Sequence, residues 1–231
     1  MNGSSRRRLS DPFRFDLALL ESLAGGQDNL RLAGADEAGR GCLAGPLVAA
    51  AVVLDYARAP FPALSSLTDS KLLSVGSRES LYPAIVSAAA QIAWVAYSPA
   101  TIDRLGLHCC NLHALARALE LLRGGYRVAV VDGFDLNRPD LLAHAVTGGD
   151  YRSAAVAAAS VVAKVVRDRL MRKLAQTNPY YGFEDHVGYA TRQHKQALRR
   201  YGPSEFHRLS FQGVATPQLE LLDDSFSPTN V

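Results

Sequence analysis

Residues 46–54 read PLVAAAVVL, a run with no charge and no hydrogen-bonding side chain. A strand with one wet face alternates apolar and polar residues, so an unbroken apolar run of this length is a strand covered on both faces. Helices must then pack above and below its sheet, which places the chain in the α/β class. Apolar spacing elsewhere agrees. Residues 30–36, 91–97, 127–131 and 142–147 read as further strands, and 78–90, 111–123 and 154–175 as helices. A short helix over 13–23 is closed by Gly25 and Gly26. The strands first cluster and then alternate with helices, the order of a mixed β-sheet flanked by helices. From Asn178 the chain turns polar, aromatic and basic, so the organisation expected is a lead and short helix (1–29), a sheet-based domain (30–177) and a small C-terminal helical appendage with its tail (178–231).

Composition narrows the function classes. The 231 residues suffice for one substantial core, and a formal net charge of +3 selects no partner by itself. Its distribution says more: residues 164–208 hold ten Lys/Arg against four Asp/Glu, a basic stretch that suits either a polyanion or a solvated helix face. Cys42, Cys109 and Cys110 include no C-x-x-C pair, so neither a zinc site nor a disulfide framework is indicated, and a reducing cytoplasm is expected. The longest apolar run, 43–54, falls short of the roughly 18 residues that span a bilayer. The start, MNGSSRRRLS, is basic, but the charged DPFRFDLALLES follows where a signal peptide is hydrophobic, and it reads as a disordered lead.

The acids carry the chemistry. Asp36 and Glu37 end the first expected strand, Asp132 ends the strand in VVDGF, and Asp150 follows Gly148-Gly149 before the long helix. Strand ends of an open sheet form the rim where ligands bind. Carboxylates converging there repel one another unless cations sit among them, and oxygen-only donors select hard ions such as Mg²⁺ or Mn²⁺. Two such ions about 4 Å apart suit phosphoryl hydrolysis. Each acid has a plainer reading as turn former or helix cap, respectable for Asp150 and poor for the adjacent Asp36-Glu37 pair. Gly39 and Gly41 around Arg40 imply a backbone that something approaches closely.

Five blocks in order, DEAGRGCLAGP (36–46), TDSKLLS (68–74), VVDG (130–133), GGDYRSAAVAAASVVAKVVRDRLM (148–171) and GYATRQH with HRLSF (188–211), resemble the ribonuclease HII family of type 2 ribonucleases H. The resemblance implies a ribonuclease H-like fold. It implies an endonuclease that cuts the RNA strand of RNA/DNA hybrids and single ribonucleotides embedded in duplex DNA, leaving 3′-hydroxyl and 5′-phosphate ends with Mg²⁺ or Mn²⁺. Asp36, Glu37, Asp132 and Asp150 would bind the metals, with Asp36 bridging both ions. The Gly39-Arg40-Gly41 backbone would contact the 2′-hydroxyl, the group that tells RNA from DNA. Tyr189 would pack on the deoxyribose beside the cut, its alternative being a core aromatic among Tyr180, Tyr181 and Phe183.

Ser70 and Lys71 resemble phosphate contacts, or else a helix start, and Ser160 and Lys164, four apart on one helix face, resemble a second phosphate site. Arg167 and Asp168 read as a buried ion pair, with Asp168 the rival to Asp150. His194 and His207 read as hydrogen-bonded structural histidines. Val187 and Gly106 depart from the lysine and asparagine common in relatives. Hybrid-only relatives carry a sizeable extra N-terminal domain, for which the 29 residues before Leu30 are too few. A monomer with no membrane partner is expected. Residues 218–222, QLELL, resemble peptides that bind sliding clamps, although packing of a terminal helix accounts for the same leucines.

Overall fold

The computed structural model describes residues 11–23, 29–67 and 73–215. Five strands form one sheet: β1 (Arg31–Ala38), β2 (Leu47–Asp55), β3 (Gln91–Tyr97), β4 (Val128–Asp132) and β5 (Ala143–Val146), in the order β3-β2-β1-β4-β5. β1 and β2 pair antiparallel, as do β2 and β3, whereas β1–β4 and β4–β5 are parallel. The mixed sheet expected from the sequence is therefore present. β2 is buried along eight of its nine residues, as its unbroken apolar run requires.

Side chains alternate across β1 and β2 and so build two cores. Leu32, Val48, Ala50, Val52 and Leu54 face α6 (Ala154–Thr177), together with α1 (Asp11–Ser22) and α2 (Val75–Ala88). Ala33, Ala35, Ala49, Ala51 and Val53 face α4 (Leu107–Glu120). Small residues let α6 sit close: a Cβ on Gly34 would overlap the Ala155–Val156 backbone. Its own first turns, Ala154 to Ala159, are fully buried. Asp16 of α1 is buried at the start of α6, where it accepts from Tyr56 Oη at 2.5 Å and from the Ala155 N–H at 3.0 Å. Burial pushes its carboxyl up to about 6.

Several expected boundaries need correction, and the helix expected at 78–90 is α2, which runs from Val75 to Ala88. β1 runs two residues past Asp36, so the adjacent acids lie within the strand and not beyond it. The helix expected at 111–123 starts earlier, and α3 (Pro99–Leu105) precedes it, joined through Gly106 at φ +83° and ψ 146°, a conformation that favours glycine. Asp150 lies inside a separate turn, α5 (Gly149–Arg152), and α6 is capped by Ser153, whose side chain accepts from the Val156 N–H at 3.2 Å. The capping alternative for Asp150 thereby loses its ground. After α6 come α7 (Phe183–His186) and α8 (Arg192–Tyr201).

Candidate active site

The β1 ladders end at different places, and this opens the site. Toward β2, pairing continues through Asp36↔Ala50 and Glu37↔Ala49 to Ala38↔Val48. Toward β4, it stops at Ala35↔Val131. Beyond Ala35 the sheet parts on the β4 side, next to Asp132 at the end of β4. A cleft of about 490 Å³ lies there, and Asp36, Glu37, Gly39, Arg40, Gly41, Asp132, Ser160, Lys164 and Tyr189 all line it. Five more lining residues were not foreseen: Ala38, Gly133, Phe134, Thr147 and Gly148. Phe134 had a signal, since it follows Asp132-Gly133 directly, and the Arg40 guanidinium lies 4.6 Å from its ring centre.

Asp36 is almost wholly buried on the α6 face. Its Oδ1 accepts from the Glu37 N–H at 2.7 Å, and its carboxylate is hydrogen-bonded by Ser160 of α6. Burial and then the neighbouring Glu37, with Asp132 adding to them, nevertheless push its carboxyl up to about 8. Glu37 pairs with Arg40 at 3.6 Å. Asp132 Oδ1 accepts from the Gly149 N–H at 2.7 Å, which ties the end of β4 to the turn bearing Asp150. Asp150 itself is buried and does not line the cleft. Asp168 also lies off the cleft, bound to Lys164 Nζ at 2.7 Å and to Arg78 at 3.8 Å. The expected Arg167–Asp168 pair is thus replaced. Arg167 instead donates to the carbonyls of Pro46, Val187 and Ala44 at 2.9, 2.9 and 3.1 Å. Ser70 and Lys71 lie outside the described residues.

Among the described residues, no group of three or more His, Cys, Asp or Glu side chains is disposed to hold an ion as it stands. The donor chemistry does fit a hard divalent cation. The acids lining the cleft offer only oxygen, and burial, with Glu37 and Asp132 beside it, makes the charged form of Asp36 costly, a cost that a cation would offset.

The two glycines around Arg40 differ. Gly39 is buried at φ +96°, and a Cβ there would overlap the Arg167 side chain, so the fold itself requires glycine. Gly41 is exposed, and a Cβ there would meet nothing within 4 Å. Its missing side chain leaves room for something outside the chain.

Tyr189 is 43 % exposed, so it is not a core aromatic. Its ring centre lies 5.3 Å from Lys164 Nζ, and its carbonyl is held by His194, one of three buried histidines that pack together. The Ser204 N–H donates to His207 Nδ1 at 3.0 Å, so His207 carries its proton on Nε2. That proton goes to His194 Nε2 at 3.0 Å, leaving His194 Nδ1–H to donate to the Tyr189 carbonyl at 2.9 Å. His186 takes the Gly188 N–H on Nδ1 at 3.2 Å and donates from Nε2 to the Tyr181 carbonyl at 2.7 Å. Burial holds His194 and His207 down to about 4, so both are neutral at pH 7. Val187 closes α7 at φ +43°, a strained conformation for a β-branched residue, with its carbonyl drawn onto Arg167.

The family model for Ribonuclease HII matches residues 33–214. The ribonuclease HII of Salinispora arenicola is 49% identical over 185 residues, covering 80% of this chain and 68% of that one. The crystal structure of ribonuclease H2 from Pyrococcus horikoshii superposes with a TM-score of 0.70 at 28% identity, covering 80% of this chain and 95% of that one. The ribonuclease HII of Archaeoglobus fulgidus, solved in complex with PCNA, gives a TM-score of 0.67 at 29% identity over 78% of this chain and 95% of its own.

Proposed function

Because the chain belongs to the ribonuclease HII family, an endonuclease family acting on the RNA strand of RNA/DNA hybrids, we propose that it also incises duplex DNA at single embedded ribonucleotides. The observation that carries this reading is the cleft itself. Carboxylates line it together with an exposed tyrosine and a glycine whose absent side chain the fold does not need. Asp36, Glu37, Asp132 and Asp150 would hold the divalent cations, Mg²⁺ or Mn²⁺. The chemistry that a bound pair supplies is activation of a water and neutralisation of the leaving 3′ oxygen, leaving 3′-hydroxyl and 5′-phosphate ends.

The remaining steps belong to the chain's own residues. Ser160 orients the Asp36 carboxylate by hydrogen bonding to it. The Gly39–Gly41 backbone meets the ribose, where the 2′-hydroxyl can both accept and donate. Tyr189 offers a ring face to the sugar that follows. Lys164, half shared with Asp168, places a positive charge beside that ring for the adjacent phosphate, while Ser70 and Lys71 serve a second phosphate. Residues 178–231 supply the appendage that holds the duplex, and α8 brings Arg192, Lys195, Arg199 and Arg200 to it.

No helix among the described residues is long and apolar enough to cross a membrane. We place the protein in the cytoplasm as a monomer, where its three free thiols stay reduced. Residues 218–222 lie outside the described residues. The Archaeoglobus fulgidus relative's complex with PCNA supports a clamp contact for this chain, residues 218–222 are the segment we assign to it, and clamp binding retained after deletion of 217–231 removes that assignment.

Three duplexes test the function: an RNA/DNA hybrid, DNA with one ribonucleotide, and all-DNA. Incision of the first two with 3′-hydroxyl ends, and none of the third, is expected. Incision of the hybrid alone removes the single-ribonucleotide reading.

A further inference from the structure

Among the described residues, two arginine side chains are wholly buried, those of Arg167 and Arg208. A buried charge is costly unless it is paired, and methionine or leucine would fill the same space at less cost. Among the described residues no carboxylate forms a salt bridge with Arg208. The nearby Asp103 is taken up by the Leu209 N–H at 2.9 Å, the Ser210 N–H at 3.0 Å and Ser210 Oγ at 2.6 Å. Arg208 spends its donors on one loop. Nη1 donates to the Arg40 carbonyl at 2.9 Å, and Nε and Nη2 donate to the Gly45 carbonyl at 3.1 and 3.0 Å. The Arg208 N–H meets the Leu43 carbonyl at 2.9 Å, so backbone and side chain grip the same loop.

The bond to Arg40 has a stereochemical consequence. A trans peptide is planar, and its N–H points opposite to its C=O. With the Arg40 carbonyl turned toward a buried guanidinium, the Gly41 N–H must point away from it. No group among the described residues accepts that N–H, and Gly41 is exposed at the cleft. The arrangement is a free backbone donor held in a fixed direction at the place where the substrate backbone would lie.

The geometry points to Arg208 as a positioning residue for ribose discrimination: it fixes the plane of the Arg40–Gly41 peptide and so aims the Gly41 N–H at the 2′-oxygen of the ribonucleotide. This rests on the proposed sensing role of Gly39–Gly41. Asp103 of α3 supports it at one remove by fastening the segment that follows Arg208.

The test is the affinity ratio, without metal, between a DNA duplex carrying one ribonucleotide and the same duplex all-DNA. Wild type, Gly41→Ala, Arg208→Lys and Asp103→Ala are compared. Arg208→Lys keeps the charge and loses the planar fork. The expected result is a ratio lowered roughly five- to tenfold, the worth of one hydrogen bond, with all-DNA affinity unchanged. Equal weakening toward both duplexes, or an unchanged ratio while Gly41→Ala collapses it, overturns the role of Arg208. A wild type without preference, or a Gly41→Ala variant that keeps it, instead overturns the sensing reading beneath. Should Arg208→Lys fail to fold, Asp103→Ala decides: a ratio lowered about twofold supports the inference, and an unchanged one overturns it.

Discussion

Two clusters of polar side chains lie near Tyr189 and the cleft, and they are built on opposite terms. In the histidine cluster, each ring nitrogen of His186, His194 and His207 has a partner whose donor or acceptor sense matches it, and His194 and His207 are neutral at pH 7. In the carboxylate cluster, Asp36, Glu37 and Asp132 share one sign, and burial, with Glu37 and Asp132 adding to it, pushes the Asp36 carboxyl up to about 8. One is complete without a ligand and serves the fold. The other sets like charges side by side, a cost that a cation would offset under the proposed function. Substitutions in the two should therefore have opposite signatures.

The largest effect belongs to the acids. Asp36→Asn, Asp132→Asn or Asp150→Asn should lower cleavage on the order of a thousandfold, since each removes several kcal/mol of charge stabilisation, while duplex binding survives. Melting temperatures should not fall, and that of metal-free Asp36→Asn should rise at pH 8. Normal turnover by Asp150→Asn beside an inactive but folded Asp168→Asn would mean that Asp168 is the fourth ligand. Bound to Lys164 and Arg78, Asp168 is expected to cost stability instead when replaced.

Tyr189→Ala should come next, reducing incision at an embedded ribonucleotide about ten- to hundredfold, and incision within a long hybrid by less. Tyr189→Phe should stay near wild type. Equal loss on both substrates with a lower melting temperature would move Tyr189 from the cleft to the fold.

In the histidine cluster the order reverses. His207→Ala should cost about 2 to 3 kcal/mol of stability, because it leaves His194 and the Ser204 N–H buried without partners, while turnover per folded molecule changes little. Calorimetric unfolding checks the pH dependence. His207 and His194 have folded values near 4, below the ordinary 6.5, so the unfolded chain takes up protons first. Their contribution is full above about pH 6.5 and is lost as pH falls toward 4, and the deficit of His207→Ala should shrink over that window. A deficit independent of pH would show that the rings do not titrate as neutral partners.

Legibility in the sequence divides along the same line. PLVAAAVVL announced a doubly covered strand, and the pair Asp36-Glu37 drew notice because two adjacent carboxylates near the end of a strand are costly without a cation, the reading on which the proposed function rests. The meeting of that pair with Asp132 depends on β1 outlasting β4, a register property that no local pattern encodes. The supporting contacts were harder to read. Arg167 lies beside Asp168 in sequence, yet helical geometry sends neighbouring side chains in different directions, and it bonds three carbonyls from residues 44, 46 and 187 instead. Arg208 stands in the HRLSF block, but nothing local shows its task, since its partners lie more than a hundred residues away. Gly39 and Gly41 looked alike and differ only once Arg167 is placed.

The central claim, that crowding among Asp36, Glu37 and Asp132 is maintained for a cation, is tested most directly by titrating Mn²⁺ into the protein in a calorimeter at pH 6 and pH 8. With Asp36 raised from 3.8 to about 8, its proton competes with the ion, and metal-free stability falls as pH rises across that interval. Affinity should therefore rise roughly fiftyfold between the two conditions, with proton release at pH 6, and both effects should vanish in Asp36→Asn. Equal affinity at pH 6 and pH 8, or wild-type Mn²⁺ binding by Asp36→Asn, would contradict it.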